Sequence, residues 1–364
     1  LRDHLKHETI VTGQSFGKSF AFTIGITRGY TMKRTFKRGV VAALALGAVS
    51  VGALLNSGAA FAQQTIKVGW TIPAEESKYW MMKRPQEFTS LGKTYNIEWV
   101  QFQGTAPMTQ ALAAGALDCA TQSPLALAQG VVGGNLKAYV VAQHVFEKPG
   151  SFSVYWAVKD DSPIKTIADL KGKTLSINTL GSGIYGPMAI LLKQAGLDAS
   201  KDIKLVEVGF ALSEEALRSG RVDSAVMNQP FAARMEAKGG TRKLFSLSQQ
   251  QEGIVHILEA CRADFVDKNP DLAKAYVRDL TSGMQKALAN RDETLKVVNE
   301  VMKAPIPVLE TYLLKENDFA RDPGAAPNFD AIQKMLDVYV ETGMLPKKVD
   351  VSAWKNPSVV APIK

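Results

Sequence analysis

Ala111-Leu112-Ala113-Ala114-Gly115-Ala116-Leu117-Asp118-Cys119-Ala120 reads as the end of a helix, a glycine stop and the start of a strand. The same plan returns 105 positions later as Ala216-Leu217-Arg218-Ser219-Gly220-Arg221-Val222-Asp223-Ser224-Ala225. Gly104 and Ala106 keep that offset to Gly209 and Ala211, and a proline follows each copy, Pro124 and Pro230. Two such units in matched context predict two α/β lobes built on one plan. A cleft between twin lobes is a natural place to trap a small molecule.

Working outward, strands and helices alternate in both directions. Strands are expected at 65–71, 96–102, 117–121 and 136–143, with helices at 75–88, 105–115 and 124–129. A second series follows, with strands at 154–158, 174–178, 203–208 and 222–227 and helices at 167–170, 185–195, 212–219 and 231–238. A strand at 254–261 returns the chain to the first series. The remainder is helical, at 272–289, 292–302, 307–314 and 329–342. This alternation implies Rossmann-like lobes with parallel sheets. The crossings near 150–158 and 254–261 would form two hinge strands. Residues 63–153 with 258–364 then make the first lobe with its C-terminal helices, and 154–257 the second.

The N-terminus carries a targeting pattern. Met32-Lys33-Arg34 and Lys37-Arg38 form a basic start, 39–55 is apolar and uncharged, and Ala60-Phe61-Ala62 is a small-x-small cleavage site. A signal peptide cleaved after Ala62 is expected, with residues 1–31 as upstream leader. That predicts a soluble protein of the periplasm, and no cysteine follows the cleavage site to carry a lipid. The segment 1–62 holds 8 of the 43 Lys and Arg residues but only 2 of the 35 Asp and Glu. The rest of the chain is therefore near neutral, which removes any electrostatic reason to invoke nucleic acid or a membrane surface. Cys119 and Cys261 are its only cysteines. Both stand in apolar, strand-like runs, and buried free thiols are the expectation; export leaves a disulfide open.

In such folds ligands sit at the carboxyl ends of strands, where helix N-termini point and bind anions without a cationic side chain. The candidate ligand-binding residues are Trp70, Thr71, Ile72, Gln103, Thr105, Gln122, Ser123, Gly181, Ser182, Tyr185, Asn228 and Gln229. Gly181-Ser182-Gly183-Ile184-Tyr185-Gly186 also matches a dinucleotide fingerprint, with Glu207 at the end of the next strand. Its alternative reading is a loop whose backbone N–H groups approach a small anion. Glu75 and Glu76 are expected to favour a helix N-terminus, the alternative being a contact to a ligand amine. Trp70, Tyr79, Trp80 and Trp156 are read as core, Arg84 as an exposed helix residue and His144 as structural. No catalytic motif, metal-ligand spacing or cofactor is indicated.

The run Asp161-Ser162-Pro163-Ile164-Lys165-Thr166-Ile167-Ala168-Asp169-Leu170-Lys171-Gly172-Lys173-Thr174 resembles that of periplasmic substrate-binding proteins serving sulfonate, taurine and nitrate ABC transporters. Leu180-Gly181-Ser182, Gln194-Ala195-Gly196-Leu197 and Ala216-Leu217 through Pro230 to Gly239-Gly240 are similar to the same branch. The resemblance implies a type II periplasmic binding protein fold that closes on a solute. It further implies a monomer that delivers the solute to a membrane permease driven by its ATPase, and contacts from Thr71, Thr105, Gln122, Ser123, Gly181, Ser182 and Asn228. The loop Thr71-Ile72-Pro73-Ala74-Glu75-Glu76 departs from the small polar loop of a simple oxyanion site. That departure points away from plain nitrate or sulfonate and towards an aromatic acid or an amine-bearing solute; the solute expected overall is a small organic anion, sulfonate-like or an aromatic carboxylate. The other functions open to the sequence are a cofactor-binding enzyme using the Gly181 loop and a periplasmic ligand sensor.

Overall fold

The structure, a computed structural model, describes residues 63–250 and 253–359. The leader and its cleavage site lie outside the described residues. The first half contains β1 (Gln64–Trp70), α1 (Glu76–Lys83), β2 (Tyr95–Gln101), α2 (Thr105–Ala113), β3 (Cys119–Gln122), α3 (Pro124–Gly134) and β4 (Ala138–Phe146). Next come β5 (Tyr155–Lys159), β6 (Thr174–Ile177), α4 (Tyr185–Gln194), β7 (Lys204–Glu207), α5 (Phe210–Arg218), β8 (Ala225–Met227), α6 (Phe231–Lys238) and β9 (Thr241–Ser246). The chain then runs through β10 (Val255–Arg262), α7 (Ala263–Lys268), α8 (Pro270–Ala289), α9 (Arg291–Met302), α10 (Ile306–Tyr312) and α11 (Phe329–Glu341).

The first sheet has the order β2-β1-β3-β10-β4. β1 runs parallel to β2 and β3, whereas β10 is antiparallel to β3 and β4. The second half repeats this arrangement. β6 pairs in parallel with β7, a parallel bridge from Leu175 to Ser224 joins it to the start of β8, and β5 lies antiparallel between β8 and β9. Its order is therefore β7-β6-β8-β5-β9, the first sheet's order again. Neither sheet is wholly parallel, as the alternation had implied. In each, the one reversed strand is the strand that has just crossed from the other sheet, β10 or β5.

The repeated decamer has the same physical job twice. Leu112 and Leu217 are buried at the ends of α2 and α5. Gly115 and Gly220 then turn the chain with φ of 71° and 78°, a left-handed conformation in which a side chain is strained. Asp118 exchanges hydrogen bonds with the first sheet: its Oδ2 accepts from the Lys67 N–H at 2.9 Å, and its own N–H donates to the Lys67 carbonyl. Asp223 clasps Thr174 in the same way, at 2.8 Å. Each aspartate thus fixes the register of its sheet's central strand.

Two elements were not anticipated from the sequence. β9 is an edge strand whose basic, partly exposed side chains conceal the alternation. α7 is a single short turn of helix. The C-terminal helices α8 to α10 pack with α1 and the first sheet around Tyr79, Tyr276 and Val297. α11 reaches both halves: it packs on α3, its Tyr339 lies against Gly186 of α4, and Lys193 donates to the Thr342 carbonyl.

Cys119 and Cys261 form a disulfide, which corrects the expectation of free thiols. They stand directly opposite each other on β3 and β10. Their sequence separation is 142 residues, so the bridge closes a loop containing the whole second sheet. Closing so long a loop stabilises a protein by about 5 kcal/mol in the chain-entropy account, mainly by constraining the unfolded chain. The paired variant Cys119→Ala/Cys261→Ala is expected to lose stability of that order in urea unfolding. An unchanged midpoint would show that the bridge is not formed in the folded protein.

Candidate ligand-binding cleft

The loops after the strands of both sheets meet around a cavity of about 50 Å³. From the first half come Thr71 to Ala74 after β1, Gly104-Thr105 at the start of α2, and Ser123 at the start of α3. From the second half come Asn178, Ser182 to Ile184 ahead of α4, Phe210 at the start of α5, and Asn228 after β8. His256 and Ile257 of β10, Val145 of β4 and Phe319 complete the wall. Four helices, two per half, therefore aim their N-terminal ends at one small space. Ser123 caps α3 by accepting from the Ala126 N–H at 3.3 Å, and its hydroxyl lies 3.0 Å from that of Thr105.

The halves touch closely because glycine stands at the contact on either side. A Cβ at Gly104 would meet Ser182 Oγ at 2.6 Å, and one at Gly183 would meet Ser123 Cβ at 2.7 Å. In that gap Ala106 N–H donates to Ser182 Oγ at 3.4 Å, and Asn178 Nδ2 donates to the Gln103 carbonyl at 3.4 Å. Asn178 Oδ1 is buried with no hydrogen-bond partner. Neither Lys nor Arg is among the cavity-lining residues, so His256 is its one lining side chain able to carry positive charge. His256 Nε2 is 2.6 Å from Glu147 Oε1.

Six of the twelve sequence-selected residues line this cavity: Thr71, Ile72, Thr105, Ser123, Ser182 and Asn228. Gln103 lines an adjoining cleft of about 230 Å³, which shares Thr71, Ile72 and Phe210 with the cavity and adds Phe102 and Phe231. The other five lie elsewhere. Trp70 packs edge-on against Tyr79. Gln122 is buried and accepts from Thr109 Oγ1. Gly181 faces Gln129 and Ala106. Tyr185 lines a separate groove with Lys193 and Gly343. Gln229 Oε1 accepts from the Ala233 N–H. Sequence reasoning did not select Asn178, Phe210, His256 or Phe319. Phe319 lies in a segment without regular structure, where no periodicity marks it. His256 was detectable as the histidine on the returning hinge strand.

The dinucleotide reading of the Gly181 loop loses its acid. Glu207 Oε1 accepts from the Leu180 N–H at 2.7 Å, and Gly183 and Gly186 are occupied by contacts to Ser123 and Tyr339. Among the described residues no group of His, Cys, Asp and Glu could hold a metal ion.

Glu75 and Glu76 stand at the N-terminus of α1, as read, and behind the cavity wall they also enter buried charge networks. Lys78 Nζ is 2.7 Å from Glu259 Oε2 and 3.3 Å from Glu75 Oε2, with all three side chains fully buried. It also donates to the Gly69 carbonyl and to Thr121 Oγ1. His144 bridges Glu259 and Ser77, and Tyr276 donates to Glu259 Oε1. Glu75 Oε1 accepts from the Thr71 N–H at 3.0 Å, so the network holds a cavity residue by its backbone. The two carboxyls differ. Burial pushes Glu75 above its ordinary pKa against the pull of Lys78 and His144. Burial also opposes ionisation of Glu259, but Lys78 and His144 prevail and hold it below the ordinary value. Glu76 instead forms a two-pronged pair with Arg321, at 3.0 Å for both contacts, and Arg321 also binds Asp318 at 2.9 Å. Arg84, expected to be exposed, pairs with Glu293 and Glu300 at 2.7 and 2.8 Å. Trp80 and Trp156 are core residues, as read, with their indole N–H groups donating to Thr294 and to the Ser176 carbonyl.

A two-sheet fold with a cavity walled by loops of both halves defines a cleft-type binding protein. The chain belongs to the NMT1-like family, whose sequence profile matches residues 59–302. It is 26% identical to a provisionally named aliphatic sulfonates-binding protein of Escherichia coli (strain K12), covering 70% of this chain and 77% of that one. It is 30% identical to the bicarbonate-binding protein CmpA of Synechococcus sp., over 37% of this chain and 31% of the relative. Among solved structures it is similar to the alkanesulfonate-binding protein SsuA from Xanthomonas axonopodis pv. citri bound to MOPS. That likeness has a TM-score of 0.65 at 20% identity, covering 79% of this chain and 96% of the other. These findings agree with the family read from the Asp161 run, and the relatives are binding proteins rather than enzymes.

The unequal carboxyls give opposite expectations. Glu75→Gln keeps the acceptor for Thr71 and removes a group whose raised pKa contributes stability at low pH that is lost as pH rises. It is expected to leave stability at neutral pH unchanged or higher. Glu259→Gln leaves Lys78 without its ionised partner and is expected to cost about 3 kcal/mol. Urea unfolding of both variants at neutral pH checks this, and equal losses would contradict the assignment.

Proposed function

We propose that this chain is the periplasmic solute-binding component of an ABC importer and that its solute is a small organic anion. It catalyses no reaction; it captures the solute between its two halves and delivers it to the membrane permease, whose ATPase supplies the energy. The observation that carries the reading is the convergence of four helix N-termini, two from each half, on one buried cavity. N-terminal ends carry partial positive charge and free N–H groups, and they hold an anion without a salt bridge. Contacts made to both halves at once favour the closed arrangement over the open one.

The two adjoining spaces support an anion with a tail. The inner cavity, with its hydroxyls, amides and backbone N–H groups, suits a compact charged head. The outer cleft, with Phe102, Phe210 and Phe231, suits an apolar remainder. A sulfonate with a short aliphatic chain fits this division, and an aromatic carboxylate fits it with its ring in the outer cleft. Relatives named for binding aliphatic sulfonates and bicarbonate support a small anion as the solute. Among the described residues no helix is long and apolar enough to cross a membrane. Delivery as a soluble monomer after removal of the first 62 residues accords with the targeting pattern.

A thermal-shift screen with alkanesulfonates, nitrate, bicarbonate and aromatic carboxylates tests the reading, because a ligand that binds only the folded state raises Tm with concentration. An alkanesulfonate is expected to give the largest shift. Ser182→Trp, which fills the gap against Gly104, is expected to abolish that shift while keeping cooperative unfolding. A full shift in this variant would place the solute outside the cleft.

A further inference from the structure

Glu147 and His256 join the two hinge crossings. Glu147 follows the end of β4, His256 is the second residue of β10, and the Val154 N–H ahead of β5 also donates to Glu147 Oε1, at 3.2 Å. Both side chains are buried, with 3% and 6% exposure for Glu147 and His256. The pair connects two spaces. His256 lines the inner cavity, and Glu147 lines an outer pocket of about 580 Å³ beside Lys148, Asp330 and Lys334. With Nε2 donating to the carboxylate, Nδ1 is the remaining ring nitrogen. A neutral ring then presents a lone pair there, which repels an anion. A protonated ring presents an N–H donor and a positive charge.

We infer that the solute is captured together with one proton: His256 is the anion-recognising side chain of the cleft, and it is charged when the anion binds. The inference rests on the proposed anion-binding function. The proton comes from bulk water and ends on His256 Nδ1, the ring nitrogen that is not paired with Glu147. Glu147 keeps the added charge compensated inside the protein. The other ionisable groups around His256 are committed elsewhere. Asp318, next to Phe319 whose ring stacks edge-on with His256, pairs with Arg321. His144 of β4 and Glu259 of β10 belong to the Lys78 network. Lys148, Asp330 and Lys334 lie on the outer pocket, on the Glu147 side.

Ethanesulfonate is a suitable probe because it carries no titratable proton at neutral pH. Calorimetry of the full chain with this probe, in buffers of different ionisation enthalpy, counts the protons taken up. Uptake is expected to approach one above the His256 midpoint, with Kd rising about tenfold per pH unit there. His256→Gln is expected to bind more weakly, with no proton uptake and no pH dependence. Glu147→Gln is expected to bind more weakly than the parent protein at neutral pH and to gain affinity as pH falls. Tight binding without uptake, or uptake that persists in His256→Gln, overturns this inference and leaves the anion-binding reading intact. Failure of every anion to bind overturns both. Nitrogen NMR of the histidine rings reports without any solute: His256 is expected to titrate from the form protonated only at Nε2. A ring that does not titrate, or a neutral ring protonated at Nδ1, contradicts the inference.

Discussion

The constraint on which the rest depends is the approach of two loops that have no side chain at the point of contact. Gly104 admits Ser182, and Gly183 admits Ser123. Any larger residue at either place would hold the halves apart and open the cavity to water. Hydrogen bonds and helix dipoles are strong recognition elements only where water is excluded, so the close fit sets the electrostatics as well as the shape. The glycines at 104 and 183 are needed here for space, with Gly104 in an extended backbone that other residues adopt freely.

Around this contact, buried hydrogen bonds and ion pairs position the groups of each half. Thr71 is held by Glu75, itself fixed by the Lys78 network inside the first half. The repeated aspartates hold the central strand of each sheet. By contrast, the halves are joined through the crossings beside Glu147 and His256, and the β3–β10 disulfide anchors the returning strand in the first sheet. Under the proposed capture function, these two crossings are the strands about which the halves turn.

Much of this was legible in the sequence, for identifiable reasons. The decamer revealed the duplication because a left-handed glycine, a buried leucine and a register-fixing aspartate are local requirements, each satisfied twice. Thr71, Thr105, Ser123, Ser182 and Asn228 could be selected because strand ends and helix starts are readable from pattern. The network of Glu75, Glu76, Ser77 and Lys78 was not legible, because four consecutive polar residues ordinarily mark a surface, yet all four are buried in ion pairs and hydrogen bonds. Those partners come from residues as distant as Glu259 and Arg321. The disulfide was missed for the same reason: only the register between β3 and β10 puts Cys119 opposite Cys261. His256 and Phe319 reach the cavity through tertiary placement that no short stretch encodes.

The most direct measurement is a crystal structure of the protein grown with ethanesulfonate. The account predicts the sulfonate group in the inner cavity, within hydrogen-bonding distance of groups from both halves, including Ser123, Ser182 and His256 Nδ1, with its carbon chain towards Phe210. A sulfonate bound to one half only, or seated in the outer pocket beside Lys148 and Lys334, would contradict it.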